Sequence, residues 1–207
     1  MDNSKRREKY TEVELSKASV DPNPIKQFKR WFDESIKAEL LEPNAMVLTT
    51  LDTNFQPTQR TVLLKYFDEN GFVFFTNYHS PKAQHLEYNN AVSMLFPWYE
   101  LGRQVVIRGE AEKISKIASA KYFLSRPFGS QLGAWISHQS KVISSRNLLE
   151  IKMVEMKRKF SEGKVPMPDF WGGYQVIAHR IDFLQSRESS QQDQITYQRT
   201  DNNWQIE

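Results

Sequence analysis

The chain has 207 residues and no cysteine, and its 28 basic residues against 25 acidic ones leave a net charge of +3. This length suits one domain, and the lack of cysteine excludes disulfide frameworks, thiolate metal sites and cysteine nucleophiles. The mild, dispersed charge argues against a nucleic-acid-binding protein, and four scattered histidines lack metal-ligand spacing, so we predict no metal site. The opening MDNSKRREKY is polar and no apolar run could span a bilayer, so we expect a cytoplasmic protein without a secretory signal.

The first elements are an arm and a helix. Residues 1–24 are polar and end in Asp-Pro-Asn-Pro, which predicts a mobile arm before a single domain over residues 25–207. Pro24 suits the first turn of a helix that we expect to run to about Leu40. Its predicted apolar face comprises Ile25, Phe28, Trp31, Phe32 and Ile36.

Strands follow. Ala45 to Leu51 is apolar and branched, and the runs Val62 to Phe67 and Phe72 to Phe75 flank Asn70-Gly71, a strong hairpin signal. Ser80 and Pro81 are typical of a helix cap and first position, and this helix precedes two further predicted strands, Ala91 to Trp98 and Arg103 to Ile114. Consecutive strands with short links indicate an antiparallel meander, and the one helix that interrupts it favours a barrel over an open sheet.

The C-terminal third alternates between both types of element. Helices are predicted over Ile117–Ser125 and Ser130–Ile136, and a longer one follows a cap at residues 144–145. A strand is predicted over Tyr174–Leu184, then a polar loop over residues 185–194, and a closing hairpin from Ile195–Arg199 and Trp204–Ile206. The fold class is therefore α+β, mainly β.

Two cations in the apolar hairpin are the first candidates for chemistry. Arg60 and Lys65 each need a partner, because an unpaired buried charge is very costly. Either the cations form internal salt bridges, or the lysine lies at a strand edge, or the two belong to a site for an anionic ligand. The two residues are an odd number apart, so regular alternation would place them on opposite faces unless a bulge or strand end intervenes.

Three further polar groups could bind an anion. Tyr122 and Arg126 are four residues apart on a predicted helix, with Ser130 just beyond its break, although an ordinary amphipathic helix with a solvated arginine has the same spacing. Lys82 falls near a helix N-terminus, and Gln139-Ser140-Lys141 forms the third group. The sequence has no recognisable pair of nucleophile and base, so an enzymatic reaction here would rely on a cofactor.

Four blocks of sequence resemble the pyridoxamine 5′-phosphate oxidase family. They are RTVLLKYFDENGFVFFTNYHSPKA, LFPWYELGRQVVIRGEAE, KYFLSRPFGSQLGAWISHQS and VPMPDFWGGYQV, and the similarity spans roughly residues 5–206. The resemblance implies an antiparallel split β-barrel of the FMN-binding type with peripheral helices, working as a homodimer with FMN at the interface. It implies oxidation of pyridoxamine or pyridoxine 5′-phosphate to pyridoxal 5′-phosphate, with dioxygen reoxidising the flavin.

The resemblance also implies site residues. FMN would be held by Arg60, Lys65, Thr76, Lys82, Gln104, Gln139 and Ser140. The substrate phosphate would be held by Lys65, Tyr122, Arg126 and Ser130. Arg7 and Tyr10 would fall on the family's N-terminal gating segment.

The chain departs from the family pattern near its C-terminus. The family's R-x-H-D-R pattern reads Ser190-Gln191-Gln192-Asp193-Gln194 here, Leu184 replaces a flavin-contacting tryptophan, and Pro81 replaces a phosphate-binding arginine. Each lost charge-assisted contact costs about 1.5–3 kcal/mol, so we expect weaker FMN retention and impaired activity. The alternatives are a flavin oxidoreductase of this fold with another phosphorylated substrate, or a non-catalytic protein that binds FMN or pyridoxal phosphate.

Overall fold

The computed structural model describes residues 14–136, 146–160, 164–187, 191–201 and 203–207, and it shows a curled antiparallel sheet with helices around it. The strands are β1 Ala45–Leu51, β2 Pro57–Leu63, β3 Tyr66–Asp68, β4 Gly71–Asn77, β5 Ala91–Trp98, β6 Arg103–Lys113, β7 Trp171–Ser186, β8 Gln192–Thr200 and β9 Asn203–Ile206. The helices are α1 Pro24–Lys37, α2 Pro81–Tyr88, α3 Lys116–Ser125, α4 Phe128–Ile136 and α5 Arg146–Lys159, with a short 3-10 helix over Tyr99–Leu101. The predicted class, mainly antiparallel β with peripheral helices, is confirmed.

The long strand β7 organises the sheet. The strand order is β2-β1-β5-β6-β7-β4-β3, and β8 also pairs with β7 before β9 pairs with β8. On one edge, β7 pairs with β6 over most of its length. On the other edge its first half pairs with β4 and its second half with β8, so this edge divides between two partners.

Helix α1 closes one side of the curled sheet. Asn23 caps it by accepting hydrogen bonds from the backbone nitrogens of Ile25 and Lys26, as a side chain at that position does. The helix ends at Lys37 rather than near Leu40. Ile36 is 51% exposed, so its predicted place on the buried face is wrong: Ser35, which is fully buried, occupies that face in the last turn.

The core consists of two clusters. The larger lies between α1 and the sheet, where the Phe28 ring packs edge-on at 4.9 to 5.0 Å from the rings of Phe67, Phe72 and Phe96. The smaller lies under α3 and α4 and is built from Phe123, Leu132, Ala134, Val165 and Trp171. Met153 and Met156 of α5 pack on this second cluster.

Three predicted elements are redrawn by long-range pairing. The predicted strand Val62–Phe67 is split, because β2 pairs with β1 while β3 pairs with β4. The predicted loop over residues 185–194 is shorter, because β7 runs to Ser186 and β8 begins at Gln192. The predicted arm is described from residue 14, where Leu15 and Val20 are buried in the larger cluster. The division into an arm and one domain remains a prediction.

Among the described helices, none has both the length and the apolar composition needed to cross a membrane.

The turn between β3 and β4 does follow its sequence signal. Gly71 has a φ of +142°, and a Cβ there would lie 2.2 Å from the Val176 carbonyl oxygen of the neighbouring strand. A residue without a side chain is therefore required at this position.

Candidate functional site

Arg60 and Lys65 do not lie on one regular strand, because the chain breaks between β2 and β3. Asn44 holds Leu64 on both sides: its carbonyl oxygen accepts from the Leu64 nitrogen, and its side-chain amide donates to the Leu64 carbonyl. The Lys65 nitrogen then donates to Val73 of β4. Regular alternation therefore stops between the two cations, and the irregularity that their odd spacing requires is present.

Arg60 lies with Lys82 in the first of two basic pairs, called here the Arg60–Lys82 pair. Arg60 Nη1 donates to the carbonyl oxygen of Leu48 at 3.1 Å and to Thr50 Oγ1 at 2.7 Å. Burial lowers the pKa of Arg60. Burial, together with the nearby charge of Arg60, lowers the pKa of Lys82 to about 8. Two cations that interact in this way favour an anion between or beside them.

The start of α2 supplies the second half of this pair. Lys82 is 8% exposed, and its Nζ donates to Thr76 Oγ1 at 3.2 Å and to Ser80 Oγ at 3.3 Å. Pro81 occupies the first helical turn as predicted. Ser80 sits at the cap position, but its hydroxyl makes no capping hydrogen bond and faces Thr76 and Lys82 instead. Three residues named from the resemblance, Arg60, Thr76 and Lys82, are thus associated in the fold.

Lys65 belongs to a second basic pair, the Lys65–Arg126 pair. Burial and the charge of Arg126 lower the pKa of Lys65, while Glu42 acts in the opposite direction. Burial also lowers the pKa of Arg126. Arg126 Nη1 is buried and, within the described residues, donates no hydrogen bond. A buried cationic donor in this state is suited to an anionic acceptor that binds from outside the chain.

Tyr122 and Arg126 do meet, although the reason differs from the one predicted. Helix α3 ends at Ser125, and Arg126 is its cap residue with extended backbone, so the two do not share a helical face. The Arg126 carbonyl accepts a hydrogen bond from Gln131 Nε2 at 2.9 Å, which fixes this turn. Tyr122 and Arg126 still interact electrostatically, and burial raises the pKa of the Tyr122 phenol. Ser130 lies exposed in the first turn of α4.

An aromatic stack supports the second pair. The Phe75 ring lies 4.0 Å from Tyr122 and 5.0 Å from Trp171, with the rings nearly parallel. The Arg126 guanidinium lies 4.9 Å from the centre of the Trp171 ring, within cation–π range. Sequence analysis missed Phe75 and Trp171 as site residues. Their only signal was an aromatic residue beside Thr76 and another at the start of a strand.

Gln104 lies in a different part of the sheet. It pairs with Leu184 of β7, which pairs in turn with Gln194 of β8, so the three form one cross-strand row. Gln194 Nε2 is 3.4 Å from both Asp182 Oδ1 and Thr196 Oγ1. Within the described residues, no hydrogen bond or ion pair joins this row to either basic pair.

Asp182 anchors the row. Burial alone would raise its pKa, but hydrogen bonds from Arg180 and Thr196 and the charges of Arg180 and Arg108 hold the pKa below its ordinary value. Gln194 is thereby engaged with its own chain, and Gln192 is an exposed strand residue opposite Ser186. Both glutamines therefore lie on a strand, where the sequence predicted a loop.

Some predicted residues cannot be placed. Gln139, Ser140, Ser190, Arg7 and Tyr10 lie outside the described residues. Asp193, which survives from the family pattern, accepts a hydrogen bond from the Leu15 nitrogen at 3.0 Å and pairs with Arg187. Sequence analysis also missed Thr50 and His85, whose hydroxyl and Nδ1 lie 2.9 Å apart behind Arg60. No group of three or more potential metal ligands occurs in the described parts of the chain.

The chain was compared with known proteins. The family model for pyridoxamine 5′-phosphate oxidase matches residues 32–160, and that for the pyridoxine 5′-phosphate oxidase C-terminal dimerisation region matches residues 171–207. A pyridoxine/pyridoxamine 5′-phosphate oxidase from Rippkaea orientalis is 52% identical over 207 residues, covering 100% of this chain and 98% of that protein. One from Crocosphaera subtropica is 53% identical over 201 residues, covering 97% and 94%.

Two solved structures share the fold. PhzG from Burkholderia lata, in complex with tetrahydrophenazine-1-carboxylic acid, superposes with a TM-score of 0.88 at 24% identity, covering 95% of this chain and 96% of that one. An FMN-binding protein from Nostoc punctiforme, related to pyridoxamine 5′-phosphate oxidase, superposes with a TM-score of 0.73 at 16% identity, covering 91% and 98%. At these identities the likeness concerns the fold alone.

Proposed function

Because this chain belongs to the pyridoxamine 5′-phosphate oxidase family, we propose that it oxidises pyridoxamine or pyridoxine 5′-phosphate to pyridoxal 5′-phosphate with FMN as cofactor. The observation that carries the proposal is the presence of two separate basic pairs. The reaction requires two phosphate groups to be held, one of the cofactor and one of the substrate. A single anion site would not account for both pairs.

The Arg60–Lys82 pair fits the FMN phosphate. Arg60 is half-buried and Lys82 is buried, and burial first, then the repulsion of Arg60, lowers the pKa of Lys82. A phosphate dianion would stabilise the charged form of both side chains. The hydroxyls of Thr76 and Ser80 lie beside Lys82 and could donate to the same phosphate. The resemblance adds Lys65, Gln104, Gln139 and Ser140 as contacts of the flavin.

The Lys65–Arg126 pair fits the substrate phosphate. Arg126 Nη1 has no hydrogen-bond acceptor among the described residues. It is therefore a donor that a bound phosphate could satisfy. Tyr122 adds a phenol, and Ser130 at the start of α4 adds a hydroxyl. The stack of Phe75 and Trp171 excludes water from one side of the guanidinium, which strengthens its attraction for an anion.

The residues of the chain bind and orient, whereas the cofactor supplies the redox chemistry. FMN, when bound, would supply the redox chemistry by taking up the hydride from C4′ of the substrate, with dioxygen as the final oxidant. Lys65 belongs to the second pair and follows Arg60 closely in the chain, so one short stretch of chain contributes to both proposed phosphate sites. Holding the two phosphates fixes the distance between the reacting groups, and such positioning can account for much of a rate acceleration.

We also propose a homodimer with FMN at the interface. The region that matches the dimerisation model contains β7, β8 and β9, and it carries Leu184 and Gln194. The row formed by Gln104, Leu184 and Gln194 has no recorded contact with the Arg60–Lys82 pair within the described part of one chain. A partner subunit would bring its own row to a site that is otherwise incomplete.

The departures at Gln194, Leu184 and Pro81 affect the flavin side, whereas Ser190 and Gln192 replace the arginine and histidine that the family places over the substrate. Gln194 stands where the family has an arginine, and its amide is already engaged with Asp182 and Thr196. Leu184 and Pro81 remove an aromatic contact and a cation. These changes leave the Lys65–Arg126 pair intact, so we expect substrate phosphate recognition with reduced FMN retention.

The absorption spectrum of the purified protein tests the proposal. With FMN added, a bound-flavin spectrum is expected, and anaerobic pyridoxamine 5′-phosphate should bleach the flavin band and yield pyridoxal 5′-phosphate. Bleaching by another phosphorylated metabolite alone would support the alternative of an oxidoreductase with a different substrate. The replacement of family residues by Gln192 and Gln194 favours this alternative. Tight binding of pyridoxal 5′-phosphate without any bleaching would support a non-catalytic binding protein.

A further inference from the structure

Arg60 is held from behind by its own chain. Both N–H groups of Nη1 are used, one for the carbonyl oxygen of Leu48 and one for Thr50 Oγ1. Across the described residues, the hydrogen bonds of this guanidinium all come from Nη1. The edge formed by Nε and Nη2 is thereby left to a ligand, and this edge has the geometry for a two-point contact with a phosphate.

Thr50 passes this contact on to His85. Thr50 on β1 is fully buried, and His85 Nδ1 on α2 lies 2.9 Å from its hydroxyl oxygen. An arginine N–H can only donate, so the hydroxyl accepts from Arg60 and has one proton of its own to place. In the described part of the chain it has no other acceptor than His85 Nδ1. This arrangement favours the tautomer in which Nδ1 accepts the hydrogen bond and Nε2 carries the ring proton.

From this chain of contacts we propose that His85 is a positioning residue, which through Thr50 holds Arg60 ready for the phosphate of FMN. The inference rests on the proposed cofactor. Arg60 and Lys82 repel each other, so a free arginine side chain would turn away from the lysine when no anion is bound. His85 and Lys82 both lie on α2, and the relay therefore ties both cations to one helix. Such preorganisation improves affinity because less freedom is lost on binding.

The affinity for FMN, measured by quenching of flavin fluorescence, tests the relay. His85→Leu should weaken FMN binding about 3- to 10-fold, the effect of one neutral hydrogen bond. His85→Asn places an amide oxygen near the position of Nδ1 and should restore most of the affinity. Thr50→Val should weaken binding, and adding His85→Leu to it should weaken binding no further, because the relay is already broken. Gln84→Leu, an exposed change on the same helix, is the matched control.

A measurement without FMN separates positioning from a general structural role. Nitrogen chemical shifts of the imidazole should show the proton on Nε2 in the wild type and a loss of this preference in Thr50→Val. Unchanged FMN affinity in His85→Leu, additive losses in the double variant, or an asparagine variant as weak as the leucine variant would each overturn the inference. Wild-type protein that takes up no FMN would instead overturn the proposed cofactor, and the relay's role with it.

Discussion

Replacing Arg126 with methionine separates substrate binding from stability. The guanidinium stacks on Trp171 at 4.9 Å, while its Nη1 is buried without a hydrogen-bond partner in the described chain. An unsatisfied buried donor costs about 1–3 kcal/mol, and a cation–π contact contributes about 0.5–2 kcal/mol. Methionine keeps the aliphatic contact with the indole and removes the repulsion of Lys65. The FMN-free variant should therefore unfold in urea with a free energy within about 1 kcal/mol of the wild type, or above it.

The same change should strongly weaken binding of the substrate. One charge-assisted contact to a phosphate contributes about 1.5–3 kcal/mol, which corresponds to a loss of about 10- to 150-fold in affinity. Steady-state kinetics with pyridoxamine 5′-phosphate should show this loss as a raised KM. FMN binding should stay close to that of the wild type, because Arg126 belongs to the other basic pair.

Lys116→Met is the matched control, since it removes an exposed cation from the first turn of the helix that ends next to Arg126. It should leave KM unchanged. A methionine variant at position 126 with an unaltered KM would refute the assignment of the substrate phosphate to this pair. A large loss of stability would refute the argument from the unsatisfied donor.

Three further predictions concern the other features of the fold. Burial and the charge of Arg60 lower the pKa of Lys82 from 10.5 to about 8, so between these pH values the unfolded chain holds a proton that the folded chain has lost. The stability of the FMN-free protein should therefore rise with pH in this range, while the affinity for FMN falls. Lys82→Met should abolish both trends, measured by urea unfolding and by fluorescence titration. Gly71→Ala should lower the free energy of unfolding by at least about 3 kcal/mol, because the new Cβ would lie 2.2 Å from the Val176 carbonyl oxygen. Gly129→Ala in α4 places its Cβ in open space, so unfolding measurements should show a neutral or stabilising effect. Gln194→Arg should tighten FMN binding about 10-fold by adding a charge-assisted contact, and an unchanged dissociation constant would argue against a flavin contact at that position.

Local signals predicted several elements well. Asn23 and Pro24 begin α1, and Asn70-Gly71 makes the tight turn, because capping and positive φ act within a few residues. Ile36 was misassigned because helical spacing indicates a periodicity but not which residues of the last turn still face the sheet.

The candidate site was only partly predictable. The residue types at positions 60, 65, 82 and 126 indicated an anion, but spacing along the chain could not group them into two pairs. Tyr122 and Arg126 were expected to share a helix face, yet they meet because Gln131 fixes the turn after the helix. Thr50 and His85 gave no signal, since a buried threonine and a helix histidine are ordinary residues until the fold brings them behind Arg60.

The sequence by itself determined the identity of the charged groups, the turns that interrupt the chain and the resemblance that names the family. Only the tertiary structure decided which strands pair, and with them where the charges lie. The residues from Val62 to Phe67 read as one strand, but β1 takes the first part and β4 takes the second, and Asn44 fixes the break between them. Pairing energy comes from partners distant in the chain, so no local pattern could show that the chain changes partner strand between Arg60 and Lys65.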